Sequence, residues 1–151
     1  MEHELFMREA MAEARKAATL GEAPIGAVVV RDGAIISRGH NYRELGHDPT
    51  AHAEIIAIRE AASAIGAWRL LDCTLYVTLE PCSMCAGAMV QARLPRLVYA
   101  ARDPKAGAAG SVVELLQQDV FNHKVEVISG ILADESSQLL KQFFQDLRSK
   151  K

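Results

Sequence analysis

Hydrophobic and polar residues alternate along the chain with two different periods, which together predict a mixture of helices and strands. Apolar residues recur at three- and four-residue steps over residues 4–20, a spacing typical of a helix packed on one side. The run 27–31 is rich in β-branched residues and predicts a strand buried on both faces. Asp32 and Gly33 follow it and predict a tight turn into a second, antiparallel strand over residues 34–39.

The rest of the pattern alternates helices with strands. Residues 40–42 are expected to end the second strand, and a polar loop follows over residues 43–49. Thr50 is expected to cap a helix that extends to about residue 64. The residues of this helix that are expected to face inward are Ile55, Ile58, Ala62 and Ile65. Further strands are predicted at 74–78, 96–100 and 125–128, helices at 83–92 and 133–148, and a brief helical turn at 112–116. This order predicts one α/β domain over residues 1–151, with a five-stranded mixed sheet between helical layers in a three-layer α/β/α arrangement.

Composition narrows the class of protein. The chain has 151 residues, of which 50% are hydrophobic and 24% charged, as in ordinary globular proteins. A net charge of −2 creates no overall attraction to RNA or membranes, so any nucleic-acid contact requires a local basic patch. Three cysteines, two of them in a C-x-x-C, indicate metal or redox chemistry in a reducing compartment. The acidic start of the chain and the lack of a long apolar run predict a cytoplasmic protein without a membrane span.

Two short segments contain the residues expected to perform chemistry. His52 and Glu54 lie in the first, and Cys82 and Cys85 lie in the second. One imidazole and two thiolates suit zinc, and H-x-E followed by P-C-x-x-C is the pattern of zinc nucleobase deaminases. If water takes the fourth position, zinc lowers the pKa of that water from about 15.7 to about 7. Glu54 is then expected to act as the proton shuttle, as the catalytic residue beside three metal ligands.

Each of these residues also has an ordinary interpretation. The C-x-x-C alone is compatible with a redox pair, and Glu54 with an acid that stabilises a helix N-terminus. A purely structural zinc site would need a fourth protein ligand. The candidates, none of which has ligand-like spacing, are His3, His40, His47, Cys73 and His123. Cys73 is expected to be a small buried apolar side chain, and His123 a loop or strand-edge residue for which a role near the substrate stays open.

Four segments resemble the bacterial tRNA-specific adenosine deaminases. They are residues 24–28, 47–55, 78–89 and 103–111, and the similarity extends over nearly the whole chain. The zinc motif is shared by all cytidine-deaminase-like enzymes, whereas the 103–111 loop and the last helix are more specific to the tRNA enzymes. The resemblance implies a cytidine-deaminase-like fold, one zinc ion per chain, and a homodimer whose sites use both subunits. It also implies hydrolysis of the wobble adenosine of an arginine tRNA to inosine and ammonia.

The resemblance also implies a set of substrate contacts. Asn41 would contact the purine, the backbone near Ala53 would hold its edge, Asp103 and Lys105 would lie along the anticodon loop, and Phe144 and Arg148 would approach the flanking nucleotides. Residue types alone also allow Asn41 to be a turn residue and Arg148 to belong to a solvated tail. The chain has an acidic residue, Asp146, in a segment that is more basic in some relatives. A carboxylate at this position would repel a phosphate group.

Two competing functions use the same residues. A deaminase of free guanine, or of another small base or nucleoside, would have the same zinc chemistry, although the 103–111 loop argues against it. The other alternative is a non-enzymatic zinc-binding or redox module, and a redox pair at the C-x-x-C would not need the H-x-E motif.

Overall fold

The structure of the protein, a computed structural model, describes residues 2–150. Within these residues the chain forms five helices and five strands. In chain order they are α1 (Glu2–Thr19), β1 (Gly26–Arg31), β2 (Ala34–His40), α2 (Arg43–Gly46), α3 (Ala53–Ile65), β3 (Cys73–Leu79), α4 (Ser83–Gln91), β4 (Arg96–Ala101), β5 (Glu126–Ile128) and α5 (Ala133–Ser149). The predicted domain includes residues 1 and 151, which lie outside the described residues, and its extent stays a prediction.

The five strands form one mixed sheet in the order β2-β1-β3-β4-β5. The strand β1 pairs antiparallel with β2 and with β3, whereas β3, β4 and β5 run parallel. The turn between β1 and β2 has Asp32 at φ 52° and Gly33 at φ 76°, which is the left-handed backbone that such a hairpin turn requires. The predicted five-stranded mixed sheet and its antiparallel hairpin are therefore confirmed.

Helices cover both faces of the sheet. Val28 and Val30 of β1 point to the face that α1 covers through Phe6 and Met7. On the other face Val29 packs with residues of α3 and α4. The helix α5 contacts β4 and β3, and Arg8 of α1 forms an ion pair with its Glu135, so that α1 and α5 share one face. The three-layer α/β/α arrangement is thus confirmed, and it brings the starts of α3 and α4 together on one side.

A close contact between β2 and α3 fixes where α3 begins. A Cβ atom added at Gly39 would lie 2.4 Å from the carbonyl oxygen of Ala53, so only glycine allows the strand to approach the helix this closely. The same proximity explains which side chains α3 buries. Its fully buried apolar residues are Ala53, Ala57 and Ala61.

Two local predictions are wrong, and a third is only partly confirmed. Ile55, Ile58, Ala62 and Ile65 pack against the core as expected, but they are only partly buried, whereas Ala53, Ala57 and Ala61 are fully buried. The segment 43–49 is not wholly a loop, since it contains α2. Residues 112–116 form no helical turn, and Glu114 instead pairs in an isolated β-bridge with Ala109.

The expected cap of α3 also differs. The cap residue is His52, and the Thr50 hydroxyl donates to Asp48 at 2.7 Å instead of to the helix. The remaining boundaries differ from the predictions by one or two residues, which is the usual uncertainty at element ends. Among residues 2–150, no helix combines the length and the apolar character needed to cross a bilayer.

Candidate active site

The starts of α3 and α4 meet at the predicted chemical site. His52 is the cap residue of α3 and Cys82 is the cap residue of α4, both with extended backbone, while Cys85 lies in the first turn of α4. Each helix therefore directs its N-terminal end, which carries a partial positive charge, at the same point. Cys85 is buried, whereas His52 and Cys82 are half-buried, so the group opens to solvent on one side.

The three side chains have the spacing of a zinc site. The Nδ1 atom of His52 lies 3.6 Å from the sulfur of Cys82 and 3.4 Å from the sulfur of Cys85. All three donor atoms lie within 4.8 Å of one another. Zinc bonds of about 2.3 Å to sulfur and about 2.0 Å to nitrogen, at a tetrahedral angle, put sulfur and nitrogen about 3.5 Å apart. The donor set therefore fits zinc, and the predicted group of ligands is brought together.

Among the described residues, no fourth side chain joins this group. Of the five other candidates, His47 is exposed beyond the end of α2 and the remaining four make contacts elsewhere. His3 contacts the Tyr76 hydroxyl, His40 the carbonyl of Asn41, Cys73 the carbonyl of Leu71, and His123 the carbonyl of Leu94. Three protein donors with one side open to solvent is the pattern of a catalytic rather than a structural site.

The two thiols of the group shift each other's pKa in opposite directions. A hydrogen bond from the thiol of Cys85 is the largest cause that lowers the pKa of Cys82 to about 3, against the opposing effect of burial, and His52 lowers it further. The same hydrogen bond, together with burial, raises the pKa of Cys85. The lowered pKa of Cys82 favours the thiolate form, in which a cysteine binds a metal cation.

Glu54 lies beside this group in the first turn of α3, and it is almost completely buried. Burial raises the pKa of its carboxyl to about 7, although its own backbone N–H and His52 oppose the shift. A carboxyl whose pKa is near neutral can both accept and donate a proton during a reaction. The position fits the predicted shuttle, and the role itself stays a prediction.

Two predicted substrate residues contact each other. The side-chain oxygen Oδ1 of Asn41 accepts the backbone N–H of Ala53 at 2.9 Å. Asn41 thereby satisfies the first turn of α3, the task expected of Thr50. The Asn41 side chain is itself buried, with 2% of the residue exposed. Asn41 is thus more than a turn residue, because it holds the helix start that carries His52.

The loop 103–111 is shaped by its own first residue. The carboxylate of Asp103 accepts the backbone N–H groups of Lys105 at 3.0 Å and of Ala106 at 3.2 Å. Lys105 itself is exposed, and Asp103 is half-buried. The side chain of Lys105 is therefore accessible to a polyanion. The carboxylate of Asp103 instead makes its hydrogen bonds within the loop.

The last two predicted residues are on α5, a different element from the two helices that carry the metal group. Phe144 and Arg148 are exposed on the C-terminal part of α5. Phe144 stacks edge-to-face on Phe143, with 5.3 Å between ring centroids. Asp146, on the same turns, accepts a hydrogen bond from Gln142 at 2.9 Å.

Two buried carboxylates next to the site do not stand out in the sequence. Glu22 accepts backbone N–H groups from α2, and Glu80 accepts them from the 103–111 loop. Each lies more than 20 positions along the chain from its hydrogen-bond partners, and Glu22, for example, is 22 positions from Glu44. No short motif in the sequence therefore indicates these contacts. The only local signal is the place of Glu80, directly before Pro81 and Cys82 at the end of a buried strand.

Comparison with known proteins gives the family. The family model described as MafB19-like deaminase matches residues 1–148. A tRNA-specific adenosine deaminase of Bacillus subtilis is 53% identical over 148 residues, covering 98% of this chain and 92% of the relative. The chain belongs to the tRNA-specific adenosine deaminase family. It is therefore a deaminase, an enzyme that hydrolyses a C–N bond, and the non-enzymatic alternative is not supported.

Solved structures agree with this assignment. A structure from studies of A-to-I editing by tRNA:A34 deaminases matches with a TM-score of 0.86 and 49% identity, covering 89% of this chain and 98% of that one. The guanine deaminase of Bacillus subtilis matches with a TM-score of 0.66 and 36% identity, covering 99% and 95%. The predicted cytidine-deaminase-like fold of this deaminase is confirmed.

Proposed function

We propose that the deaminase converts the wobble adenosine of a tRNA anticodon, that of an arginine tRNA, to inosine with release of ammonia, using one zinc ion per chain. The observation that supports this most strongly is the group of His52, Cys82 and Cys85 beside the buried Glu54. It occurs in a chain whose relatives are named tRNA-specific adenosine deaminases.

In this proposal the three ligands hold the ion and Glu54 moves protons. When bound, zinc would lower the pKa of a water molecule to about 7 and so make hydroxide available at neutral pH. Glu54 accepts the proton of the attacking water and delivers it to a ring nitrogen of adenine. The hydroxide oxygen bonds to C6, and Glu54 takes the remaining proton from that hydroxyl and transfers it to the amine. The bond between C6 and the amine then breaks, so that adenosine and water yield inosine and ammonia.

The substrate contacts belong to the same proposal. An adenosine inside a stacked loop cannot reach the site, so the base must be turned out into the pocket. The amide nitrogen of Asn41 and the backbone near Ala53 would hold the purine. Residues outside the pocket would contact the anticodon loop, as RNA-binding proteins contact splayed bases and phosphates. We assign this contact to Asp103, Lys105, Phe144 and Arg148.

We also propose that the active enzyme is a homodimer. The partly buried isoleucines of α3 lie beside α4, and an open groove there is lined by Ile58, Ala62, Trp68 and Ala88. Trp68 is 56% exposed, which is unusual for the largest aromatic side chain. A second copy of the chain would cover this apolar face and could supply residues to the neighbouring site.

Two further parts of the proposal concern the domain organisation and the cellular compartment. Residues 1–151 are interpreted as one domain. The three cysteines are free thiols, and a tRNA substrate is found in the cytoplasm, so we assign the enzyme to that compartment.

The second candidate is deamination of free guanine, which the similarity to the guanine deaminase of Bacillus subtilis supports. Ammonia release from an anticodon stem-loop, guanine, adenosine and cytidine, each at equal concentration, separates the two functions. The tRNA proposal predicts release from the stem-loop far above the other three. Release from guanine alone would refute it.

A further inference from the structure

Glu80 is a buried carboxylate at the end of β3, directly before Pro81 and the ligand Cys82, and its side chain is 2% exposed. Its Oε1 atom accepts the backbone N–H of Asp103 at 3.0 Å and the hydroxyl of Ser111. Its Oε2 atom accepts the backbone N–H of Ala109 at 2.9 Å and that of Ser111 at 3.1 Å. Four donors converge on the two oxygens, which saturates a carboxylate.

The 103–111 loop is wrapped around this carboxylate. A Cβ atom added at Gly107 would lie 2.4 Å from the carboxyl carbon of Glu80, so the loop backbone passes directly over the group. The backbone N–H of Ala108 donates to the carbonyl of Pro81 at 2.8 Å. The segment that leads into the metal ligands and the loop are thus joined on both sides of residue 80.

The contacts at Glu80 continue into the part of the loop expected to meet RNA. Glu80 fixes the backbone at Asp103, and the side chain of Asp103 fixes the backbone at Lys105. All four partners of Glu80 are donors, so a glutamine there would place its own NH2 group against at least one of them. Hydrogen bonds to a charged acceptor are also stronger than those to a neutral one.

We propose that Glu80 is a positioning residue, whose carboxylate holds the 103–111 loop so that Asp103 and Lys105 face the nucleic-acid substrate. It touches neither substrate nor metal and acts through the loop. This inference rests on the proposed function, because it presumes that the loop meets an anticodon.

A second buried glutamate provides a matched control. Glu22 is 1% exposed and accepts the backbone N–H groups of Glu44 at 3.1 Å and of Leu45 at 2.8 Å. It therefore holds a different segment, α2, by the same chemistry. Glu22→Gln reproduces the loss of a buried charge without changing the 103–111 loop.

The experiment compares zinc-loaded wild type, Glu80→Gln and Glu22→Gln. For Glu80→Gln we expect hydrogen exchange in residues 103–111 and trypsin cleavage after Lys105 to become faster by about tenfold or more, with zinc content retained. We expect KM for an anticodon stem-loop to rise about tenfold, with a much smaller change in kcat. Glu22→Gln is expected to speed exchange in 43–46 and leave exchange in 103–111 unchanged.

Three results would overturn the proposal. The first is hydrogen exchange in residues 103–111 of Glu80→Gln that equals the wild-type rate. The second is faster exchange in Glu80→Gln with a KM for the stem-loop that does not change. The third is exchange in residues 103–111 that becomes as fast in Glu22→Gln as in Glu80→Gln. If Glu80→Gln does not retain zinc, Ser111→Ala tests the role of Glu80 instead, because it removes one donor to the carboxylate. Faster exchange in residues 103–111 together with a raised KM supports the role. Unchanged exchange refutes it. A wild-type enzyme inactive on the stem-loop would refute the proposed function instead, while exchange still decides whether Glu80 holds the loop.

Discussion

The start of α3 and α4 and the C-terminal part of α5 both contain predicted functional residues, but they differ in how the chain holds them. At the first, Glu54 and Cys85 are buried, and α3 begins where the backbone of Ala53 lies close to Gly39 of β2. At the second, Phe144 remains 42% exposed and Leu147 45% exposed, although both are apolar. The residues predicted to bind metal and move protons are thus held by the fold of a single chain, whereas apolar side chains of α5 remain exposed.

This difference leads to two expectations that can be tested separately. Changes at the helix starts should affect metal binding or the chemical step, whatever the substrate. Changes on α5 should affect only how well RNA binds. Substitutions in each region, ordered here by expected effect, test that separation.

The largest effect is expected for Cys85→Ala. Removing one of three protein ligands should abolish zinc binding and activity and lower the melting temperature, because metal binding and folding are coupled. Elemental analysis and thermal denaturation measure both effects. Cys73→Ala is the matched control, since Cys73 is an equally buried cysteine outside the group, and it should keep one zinc ion per chain. Zinc lost equally from both variants would contradict the assignment.

The next effect is expected for Glu54→Gln. The variant keeps a side chain of the same size but cannot shuttle protons, so kcat should fall by about 10²–10⁴-fold. Zinc content and KM should change little. Single-turnover rates with an anticodon stem-loop, measured at equal zinc loading, check this. Turnover at the wild-type rate would remove Glu54 from the mechanism.

A charge in the groove between α3 and α4 should have an intermediate effect. Ala88→Arg places a guanidinium where Ile58, Ala62 and Trp68 form the apolar face, and we expect it to convert the dimer to a monomer and to reduce activity. Light scattering coupled to gel filtration measures the mass. Gln138→Arg, on the exposed side of α5, is the control and should leave the mass unchanged. A wild-type monomer would refute the dimer outright.

The smallest effect is expected on α5. Phe144→Ala with Arg148→Ala should raise KM for the stem-loop about tenfold, through loss of base stacking and of one phosphate contact, without changing kcat or the melting temperature. Asp146→Asn removes a negative charge from the same surface and should shift KM in the opposite direction. Equal KM values for all three proteins would exclude α5 from RNA binding.

The same contrast explains what could be predicted from the sequence. The β-branched run of β1, the Asp32-Gly33 turn and the spacing of His52, Glu54, Cys82 and Cys85 are local signals, and the structure agrees with the elements and grouping they predict. The first two signals are strong because the period of a strand and the geometry of a turn depend on neighbouring residues. His52 and Cys82 are 30 positions apart, but each lies in a short motif of residue types that zinc prefers, so their grouping could be predicted from residue type.

The features that could not be predicted depend on contacts between distant segments. The close approach of Gly39 to Ala53 decides that α3 buries alanines and leaves its isoleucines at the side. Glu22 stabilises α2 inside a polar stretch, and Glu80 organises a loop that begins 23 residues later. Such pairs produce no periodic pattern or short motif in the sequence, because each partner is an ordinary residue among its neighbours in the chain.

The central claim is that the group of His52, Cys82 and Cys85, together with Glu54, deaminates adenosine in a tRNA anticodon. Sequencing of tRNA after incubation with the zinc-loaded enzyme tests it most directly. The account predicts inosine at the wobble position of an arginine tRNA, and none when the enzyme carries Glu54→Gln. Unmodified tRNA after incubation with an enzyme that releases ammonia from free guanine would contradict it.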